Sequence, residues 1–143
     1  MLAVVDTNVL VSGLLTLHTI PARVVDMIYT GRIHCLHDDR ILDEYRRVLS
    51  RPKFAQAISS REVNDLLSYL VHSGRTILSE PLRGLPGNVP DPDDLPFAEV
   101  AVTGNAACLI TGNTIHFHFL TMPPWSIAVF SPREAYDMLC KEV

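Results

Sequence analysis

The sequence predicts an α/β fold of three layers, in which helices cover both faces of a central parallel sheet of about five strands. Apolar runs of strand length alternate along the chain with segments of helical periodicity, which is typical of a parallel sheet. The runs are short, nearly continuous and bounded by turn residues, as in strands buried on both faces. A length of 143 residues suits a single domain, and we expect one domain over residues 1–143.

The first half of the chain shows strand–helix alternation with recognisable helix ends. Pro21 suits the first position of a helix that Gly31 terminates. Asp38 or Asp39 is placed to cap a helix that runs to about Leu49. The predicted elements are strand 2–5, helix 9–15, helix 21–30, strand 33–36 and helix 39–49.

The second half continues the alternation around a long loop. Ser59 and Glu62 form a capping box for a helix that ends at Gly74. Pro96 suits the first turn of a later helix, and Ser131-Pro132-Arg133-Glu134 opens the last one. The remaining predictions are strand 76–78, an irregular loop over 80–90, helix 93–103 and strands 107–110 and 126–130, which makes about five strands and about six helices in all.

The composition limits the classes of protein to which the chain can belong. Hydrophobic residues make up 48% and charged residues 20%, as in soluble globular domains. No apolar run has the length of a membrane span and no basic segment precedes the first run, so we expect a cytoplasmic protein without a signal peptide. Cys35, Cys108 and Cys140 lack CxxC spacing and lie in apolar stretches. We expect them to be reduced and buried rather than catalytic.

The net charge of −4 argues against binding of nucleic acid by bulk electrostatics, which needs clustered basic residues. It does not exclude a nuclease, because bound cations reverse the sign of an acidic site. One basic cluster stands out, at Arg46, Arg47, Arg51 and Lys53. Without a nearby site, this cluster is best interpreted as the solvated end of a helix.

Asp6 is the first candidate for a functional residue, because it directly follows the first predicted strand. It could cap the next helix, or it could belong to a site at the carboxyl ends of the strands, where open α/β sheets bind ligands. Thr111 and Asn113 follow the fourth predicted strand. If the first and fourth strands are neighbours, Asp6 and Asn113 face each other across that crevice.

Four further carboxylates could join this site. Glu44 lies at the border of the apolar stripe of its helix. Asp91, Asp93 and Asp94 crowd the start of the next helix, where one N-cap and one dipole partner would suffice. Oxygen ligands from several elements suit Mg²⁺ or Mn²⁺. Asp6, Glu44 and Asp94 form the coherent metal-binding set, and two such ions can drive in-line attack on phosphorus.

Five segments in order resemble the PIN-domain nucleases. These segments are Val5-Asp6-Thr7-Asn8-Val9-Leu10-Val11-Ser12, Ile41-Leu42-Asp43-Glu44-Tyr45 with Arg51-Pro52-Lys53-Phe54, Asp91-Pro92-Asp93-Asp94 with Phe97, Leu109-Ile110-Thr111-Gly112-Asn113, and Ser131-Pro132-Arg133-Glu134. Each is weakly specific alone, but together they span nearly the whole chain. The chain most resembles the branch of VapC-type toxins of toxin–antitoxin pairs.

The resemblance implies a PIN-like fold and a metal-dependent endoribonuclease that uses Mg²⁺ or Mn²⁺, with RNA as substrate, a small antitoxin protein as partner and a homodimer as its assembly. Asp6, Glu44 and Asp94 match the acidic positions, and Asn113 stands where many members carry a fourth Asp. Leu95 and Pro96 also depart from the polar residues that are usual there. The expected supporting or substrate-binding residues are Thr7, Asn8, Asp91, Asp93, Thr111, Arg46, Arg47 and His116.

Other interpretations are weaker. A phosphatase of the haloacid dehalogenase type needs a second Asp where Asn8 stands, and a receiver domain needs a Lys where Ser131 stands. His116 and His118 could suggest zinc, but further ligands at suitable spacing are lacking, and we expect these histidines to cover the end of the sheet beside Phe117 and Phe119. The serious alternative is an inactive PIN-like module that binds RNA or a protein partner, which Asn113 favours.

Overall fold

Five parallel strands form one sheet at the centre of the molecule, in the order β3-β2-β1-β4-β5. The computed structural model describes residues 1–85 and 91–141. The predicted α/β fold with a five-stranded parallel sheet is confirmed. The strands are β1 (Leu2–Val5), β2 (His34–His37), β3 (Arg75–Thr76), β4 (Cys108–Ile110) and β5 (Ala128–Phe130).

Helices fill most of the connections between the strands. Within residues 1–85 and 91–141 the structure has seven α-helices and three 3-10 helices, more than the six helices expected. The α-helices are α1 (Thr7–Leu15), α2 (Ile20–Tyr29), α3 (Asp39–Leu49), α4 (Ser60–Ser73), α5 (Leu95–Thr103), α6 (Thr114–Phe117) and α7 (Pro132–Lys141), and the 3-10 helices span Pro52–Phe54, Pro92–Asp94 and His118–Thr121.

The central strand β1 shows how the layers are built. Ala3, Val4 and Val5 are fully buried; since successive side chains of a strand point to opposite faces, both faces of the sheet are covered here. β1 pairs with β2 on one side and with β4 on the other. The carboxyl ends of β1 and β4 therefore lie side by side, as the sequence analysis required for Asp6 and Asn113 to meet.

Several predicted helix ends are confirmed by their hydrogen bonds. Asp38 accepts from the NH of Ile41 and caps α3, and the Ser59–Glu62 capping box opens α4. Gly74 ends α4 as predicted. A Cβ atom there would lie 2.2 Å from the carbonyl oxygen of Cys35, so the close approach of α4 to β2 requires glycine.

Other local predictions were wrong. β3 spans only Arg75–Thr76 rather than residues 76–78. α1 begins at Thr7, two residues before the predicted start. Cys140 is exposed, whereas Cys35 and Cys108 are buried as expected. The irregular loop predicted over residues 80–90 is confirmed for residues 80–85. Residues 86–90 lie outside the described part of the chain.

His116 and His118 do not lie on a strand. His116 lies in α6 and His118 begins the 3-10 helix His118–Thr121. Both histidines are exposed, while Phe117 between them is fully buried. The two histidines therefore do not form the cover over the sheet that was expected, and Phe117 supplies the packing instead.

No single helix in the described residues is long and apolar enough to cross a membrane. Helices α1 and α2 reach that length and composition only when taken together, as a pair bent by 103°.

Candidate functional site

Asp6 stands at the carboxyl end of β1 and at the first turn of α1. It occupies the N-cap position, but its side chain makes no capping hydrogen bond. The carboxylate instead accepts from the hydroxyl of Thr111 at 2.8 Å and from the side-chain amide of Asn8 at 3.3 Å. The capping explanation of Asp6 therefore does not account for the position of its carboxylate, which points across the sheet edge toward β4.

The segment after β4 forms the other side of this connection. Thr111 is fully buried, and its hydroxyl also accepts from the backbone NH of Asn113 at 3.0 Å. The NH of Gly112 donates to the side-chain oxygen of Asn8 at 3.1 Å. These bonds hold the ends of β1 and β4 together, so the placement of Asp6 and Asn113 follows from the pairing of two adjacent strands.

Helix α3 brings Glu44 to the same edge. The Glu44 carboxylate accepts a hydrogen bond from the hydroxyl of Thr7 and lies 4.0 Å from the guanidinium of Arg47. The next residue, Tyr45, is fully buried and donates its hydroxyl proton to the carbonyl oxygen of Val5. Tyr45 thus anchors α3 on the last residue of β1, directly before Asp6.

The entry to α5 supplies the third carboxylate. Asp91 accepts from the NH of Asp93 and caps the 3-10 helix Pro92–Asp94; both of these side chains are exposed. The Asp94 side chain is 17% exposed, and its nearest basic partner is His116, whose Nδ1 lies 3.5 Å from Oδ2. Asp94 Oδ2 is nevertheless buried without a hydrogen bond from any described residue.

These side chains line one cleft of about 460 Å³. It contains nearly all of the predicted site residues: Asp6, Thr7, Asn8, Glu44, Arg47, Asp91, Asp93, Asp94, Asn113 and His116. Thr111 lies behind the cleft and supports Asp6. Five further residues line the cleft and were not predicted from the sequence to do so: Val11, Ser12, Val48, Arg51 and Phe54.

Helical spacing could have indicated several of the additional residues. Ser12 follows Asn8 by four positions in α1, and Val48 follows Glu44 by four positions in α3, so each lies on the same helix face as a predicted site residue. Arg46 is different. Its guanidinium donates to the side chain of Asn64 at 2.8 Å, and it lies outside the cleft that Arg47 lines.

Burial raises the pKa of three carboxyl groups in the cleft, those of Asp6, Glu44 and Asp94. Burial raises the pKa of Asp94 to about 6, with repulsion from Asp6, Asp91 and Glu44 acting in the same direction and His116 opposing them. Burial also raises the pKa of Glu44, and the Thr7 hydroxyl opposes this shift. Concentrating negative charge in a half-buried cleft is thus costly unless a positive charge enters.

At Asp6, burial and the neighbouring groups shift the pKa in opposite directions. Burial raises its pKa above the ordinary value of 3.8, although the Thr111 hydroxyl, the NH of Thr7 and the charge of His116 all lower it. Desolvation exceeds these three favourable contributions. The side chain is therefore held in position by hydrogen bonds, but its charge is not fully compensated by the protein.

A family model of the PIN domain matches residues 3–115 of this chain. The chain belongs to the PIN domain family. The matched segment includes Asp6, Glu44, Asp94 and Asn113, so every predicted acidic-site position of this PIN domain falls inside it. β5 and α7 lie beyond the matched residues.

A solved structure is similar in fold to this PIN domain. It is a chain in the crystal structure of VapBC2 from Rickettsia felis bound to a DNA fragment from their promoter, with a TM-score of 0.53 and 16% sequence identity. The match covers 92% of this chain and 98% of that chain. A search of curated proteins finds no match.

The cleft offers carboxylate oxygens, which are the ligands that hard divalent cations prefer. Within residues 1–85 and 91–141, no group of three or more His, Cys, Asp or Glu side chains is gathered into a ready metal centre. The chemistry of the cleft nevertheless fits a hard cation, because five carboxylates line it, Asp6, Glu44 and Asp94 among them, and Asp94 Oδ2 is buried and unpaired among the described residues. A cation would relieve both the repulsion and the unpaired oxygen.

Proposed function

We propose that this PIN domain is a divalent-metal-dependent endoribonuclease that hydrolyses RNA phosphodiester bonds. The observation that carries the proposal is the convergence of Asp6, Glu44 and Asp94 on one cleft, from the end of β1, from α3 and from the 3-10 helix that precedes α5. The raised pKa of each carboxyl marks a site arranged for a positively charged ligand rather than for stability.

Mg²⁺ or Mn²⁺ would be held by Asp6, Glu44 and Asp94, with Asn113 beside them. When bound, such a cation supplies an activated water and stabilises the charge that develops on the leaving oxygen. The protein's own groups have supporting tasks. Thr111 and Asn8 orient Asp6.

On the α3 side of the cleft, the hydroxyl of Thr7 orients Glu44. Arg47, which is 59% exposed, offers a guanidinium to a substrate phosphate. His116 lies at the acidic wall within reach of Asp94 and Asn113, where it would also contact a substrate phosphate.

We also propose that the protein is the toxin of a toxin–antitoxin pair, that it binds a small antitoxin protein and that it acts in the cytoplasm as a homodimer. Its similarity in fold to a chain of VapBC2 supports the first of these proposals. Growth arrest on expression of the wild-type protein, but not of Asp6→Asn, would support a toxin. Relief of the arrest by a small protein encoded in the adjacent gene would identify the antitoxin.

A second candidate function is an inactive PIN-like module that binds RNA or a protein. Asn113 favours it, because an amide replaces a fourth carboxylate and removes one negative charge from the site. The nuclease is favoured by the hydrogen bonds that orient two carboxylates of the cleft. The hydroxyl of Thr111 donates to Asp6, and the hydroxyl of Thr7 donates to Glu44.

Cleavage of single-stranded RNA decides between the two functions. We expect wild-type protein to cleave in Mg²⁺ or Mn²⁺ and to stop when a chelator is added, and Asp6→Asn to be folded but inactive. Asp137→Asn is the matched control, since it removes an exposed carboxylate of α7 outside the cleft. Full cleavage by folded Asp6→Asn protein would contradict the proposed metal site.

A further inference from the structure

The α3 side of the cleft carries two arginines, Arg47 and Arg51. Arg47, already assigned to a substrate phosphate, lies in the last turn of α3, three positions after Glu44. Arg51 lies just beyond the end of that helix, at the N-cap of the 3-10 helix Pro52–Phe54. The two positive charges therefore follow each other along the chain, from beside Glu44 to the turn after α3.

A tight turn directly after α3 carries the basic side chains of Arg51 and Lys53. Pro52–Phe54 form a 3-10 helix, the NH of Phe54 donates to the carbonyl of Arg51 at 2.9 Å, and the partly buried Phe54 ring packs against the core. Lys53 is exposed, with its Nζ 5.1 Å from the centre of that ring. The turn thus fixes the backbone of Arg51 and Lys53 while their charged ends remain in solvent.

Arg51 differs in its pairing from several other arginines of the chain. Carboxylates lie within 4.0 Å of Arg40, Arg47, Arg61 and Arg133, and Arg46 binds Asn64. Arg51 is exposed and makes no ion pair or side-chain hydrogen bond with any described residue. An exposed arginine at the wall of an otherwise acidic cleft has its charge available for an anionic ligand.

The two walls of the cleft differ in charge. Asp91, Asp93 and Asp94 stand on the α5 side, whereas the α3 side carries Arg47 and Arg51 beside a single carboxylate, Glu44. A polyanion is repelled by the first wall and attracted by the second. The net charge of −4 makes this local attraction more important, because the protein as a whole repels nucleic acid.

We propose that Arg47, Arg51 and Lys53 form a track for the sugar–phosphate backbone of single-stranded RNA on one side of the bond that is cut. This inference rests on the proposed function, and it adds the direction in which the strand leaves the carboxylates, which is along α3 toward the Pro52–Phe54 turn. The track recognises phosphate and not base, so it contributes affinity without sequence preference. Sequence selection must come from other parts of the surface.

The test measures binding separately from cleavage. In the Asp6→Asn background with Mg²⁺, the affinity for a fluorescein-labelled, mixed-sequence single-stranded RNA of twelve nucleotides is measured by anisotropy at several salt concentrations. We expect Arg51→Ala to weaken binding by roughly two- to fivefold, as for an exposed ion pair. It should also reduce the slope of log K against log salt by about 0.7, the value for one phosphate of a single strand.

Arg46→Ala is the matched control, because Arg46 lies on the same helix but binds Asn64 outside the cleft. We expect it to bind as the parent does, and Arg51→Lys to keep the salt slope. In the active protein, Arg51→Ala should raise KM and leave kcat unchanged. A salt slope that Arg51→Ala leaves intact, or that Arg46→Ala reduces equally, would overturn the track.

The two proposals fail in different ways. If wild-type protein cleaves RNA but Arg51→Ala changes neither the salt slope nor KM, the nuclease stands and the track is wrong. If RNA binding depends on Arg51 but wild-type protein never cleaves in Mg²⁺ or Mn²⁺, the track stands and the nuclease is wrong.

Discussion

Replacement of Thr111 by valine tests how the site is held together. The substitution keeps the shape of the side chain but removes the hydroxyl, which donates to Asp6 at 2.8 Å and accepts from the NH of Asn113 at 3.0 Å. Loss of a donor to a buried charged group costs about 1.5–3 kcal/mol, whereas the NH of Asn113, an exposed residue, can bind water instead. We therefore expect a loss of about 1.5–3 kcal/mol in the free energy of unfolding.

The loss must depend on pH. Burial already raises the pKa of Asp6, and the Thr111 hydroxyl opposes that shift, so the valine variant raises the pKa further. A carboxyl whose pKa is raised on folding favours the folded state at low pH, and that advantage is lost as pH rises through its folded pKa. The destabilisation by valine should therefore be greater at pH 8 than at pH 4.5.

The assay is thermal and urea unfolding of the metal-free protein at both pH values. A loss of 1 kcal/mol lowers the melting temperature by roughly 3 °C in a domain of this size. Thr111→Ser should retain most of the stability at pH 8, and Thr121→Val, which removes an exposed hydroxyl elsewhere, should have little effect. A valine variant with unchanged stability, or with equal losses at both pH values, would refute the role assigned to the Thr111–Asp6 bond.

Three further outcomes are expected. Because the pKa of Asp94 is raised to about 6, the melting temperature of the metal-free protein should fall as pH rises from 4.5 to 8. The Asp94→Asn variant should show a smaller fall, whereas the control variant Asp65→Asn should show the same fall as the wild type. Mn²⁺ should stabilise the wild-type protein by about 2.7 kcal/mol at a hundredfold excess over its dissociation constant; equal melting with Mn²⁺ and with a chelator would favour the inactive module. Asn113→Asp should lower the metal concentration needed for half-maximal cleavage, because the added carboxylate–cation pair at about 4 Å contributes ~4 kcal/mol at a dielectric constant near 20, before desolvation and repulsion are subtracted. The same added charge should destabilise the metal-free protein. An unchanged half-maximal concentration would show that Asn113 is remote from the ions.

Much of the candidate site could be predicted because it depends on the ends of regular elements. Asp6 and Thr111 directly follow adjacent parallel strands, and such ends meet at one edge of a sheet. Glu44 borders the apolar stripe of α3, and Asp94 belongs to the entry of α5. In each case a local pattern determines the element, and the sheet order then determines the neighbours.

What could not be predicted depends on tertiary packing. Arg46 and Arg47 are consecutive residues of α3 and point about 100° apart. Which of the two faces the cleft and which meets Asn64 depends on how α4 packs against α3. Cys140 lies in an apolar stretch, yet only Ala135 and Leu139 of α7 are buried, and a further residue turns the side chain by about 100° away from them. α6 was missed because four residues are too few to show a helical period.

The charges of the cleft connect these observations to its chemistry. Three acids share a half-buried space, and burial is the main cause that raises the pKa of each. A cation that binds their ionised forms must therefore displace protons, and its affinity must increase as pH rises through about 6. The arginines do not remove this cost, because Arg47 is 4.0 Å from Glu44 and still leaves the pKa of that acid raised. Under the proposed function, Asp6, Glu44 and Asp94 would hold the cation, and Arg47 and Arg51 would contact the phosphates of the strand on which the cation acts.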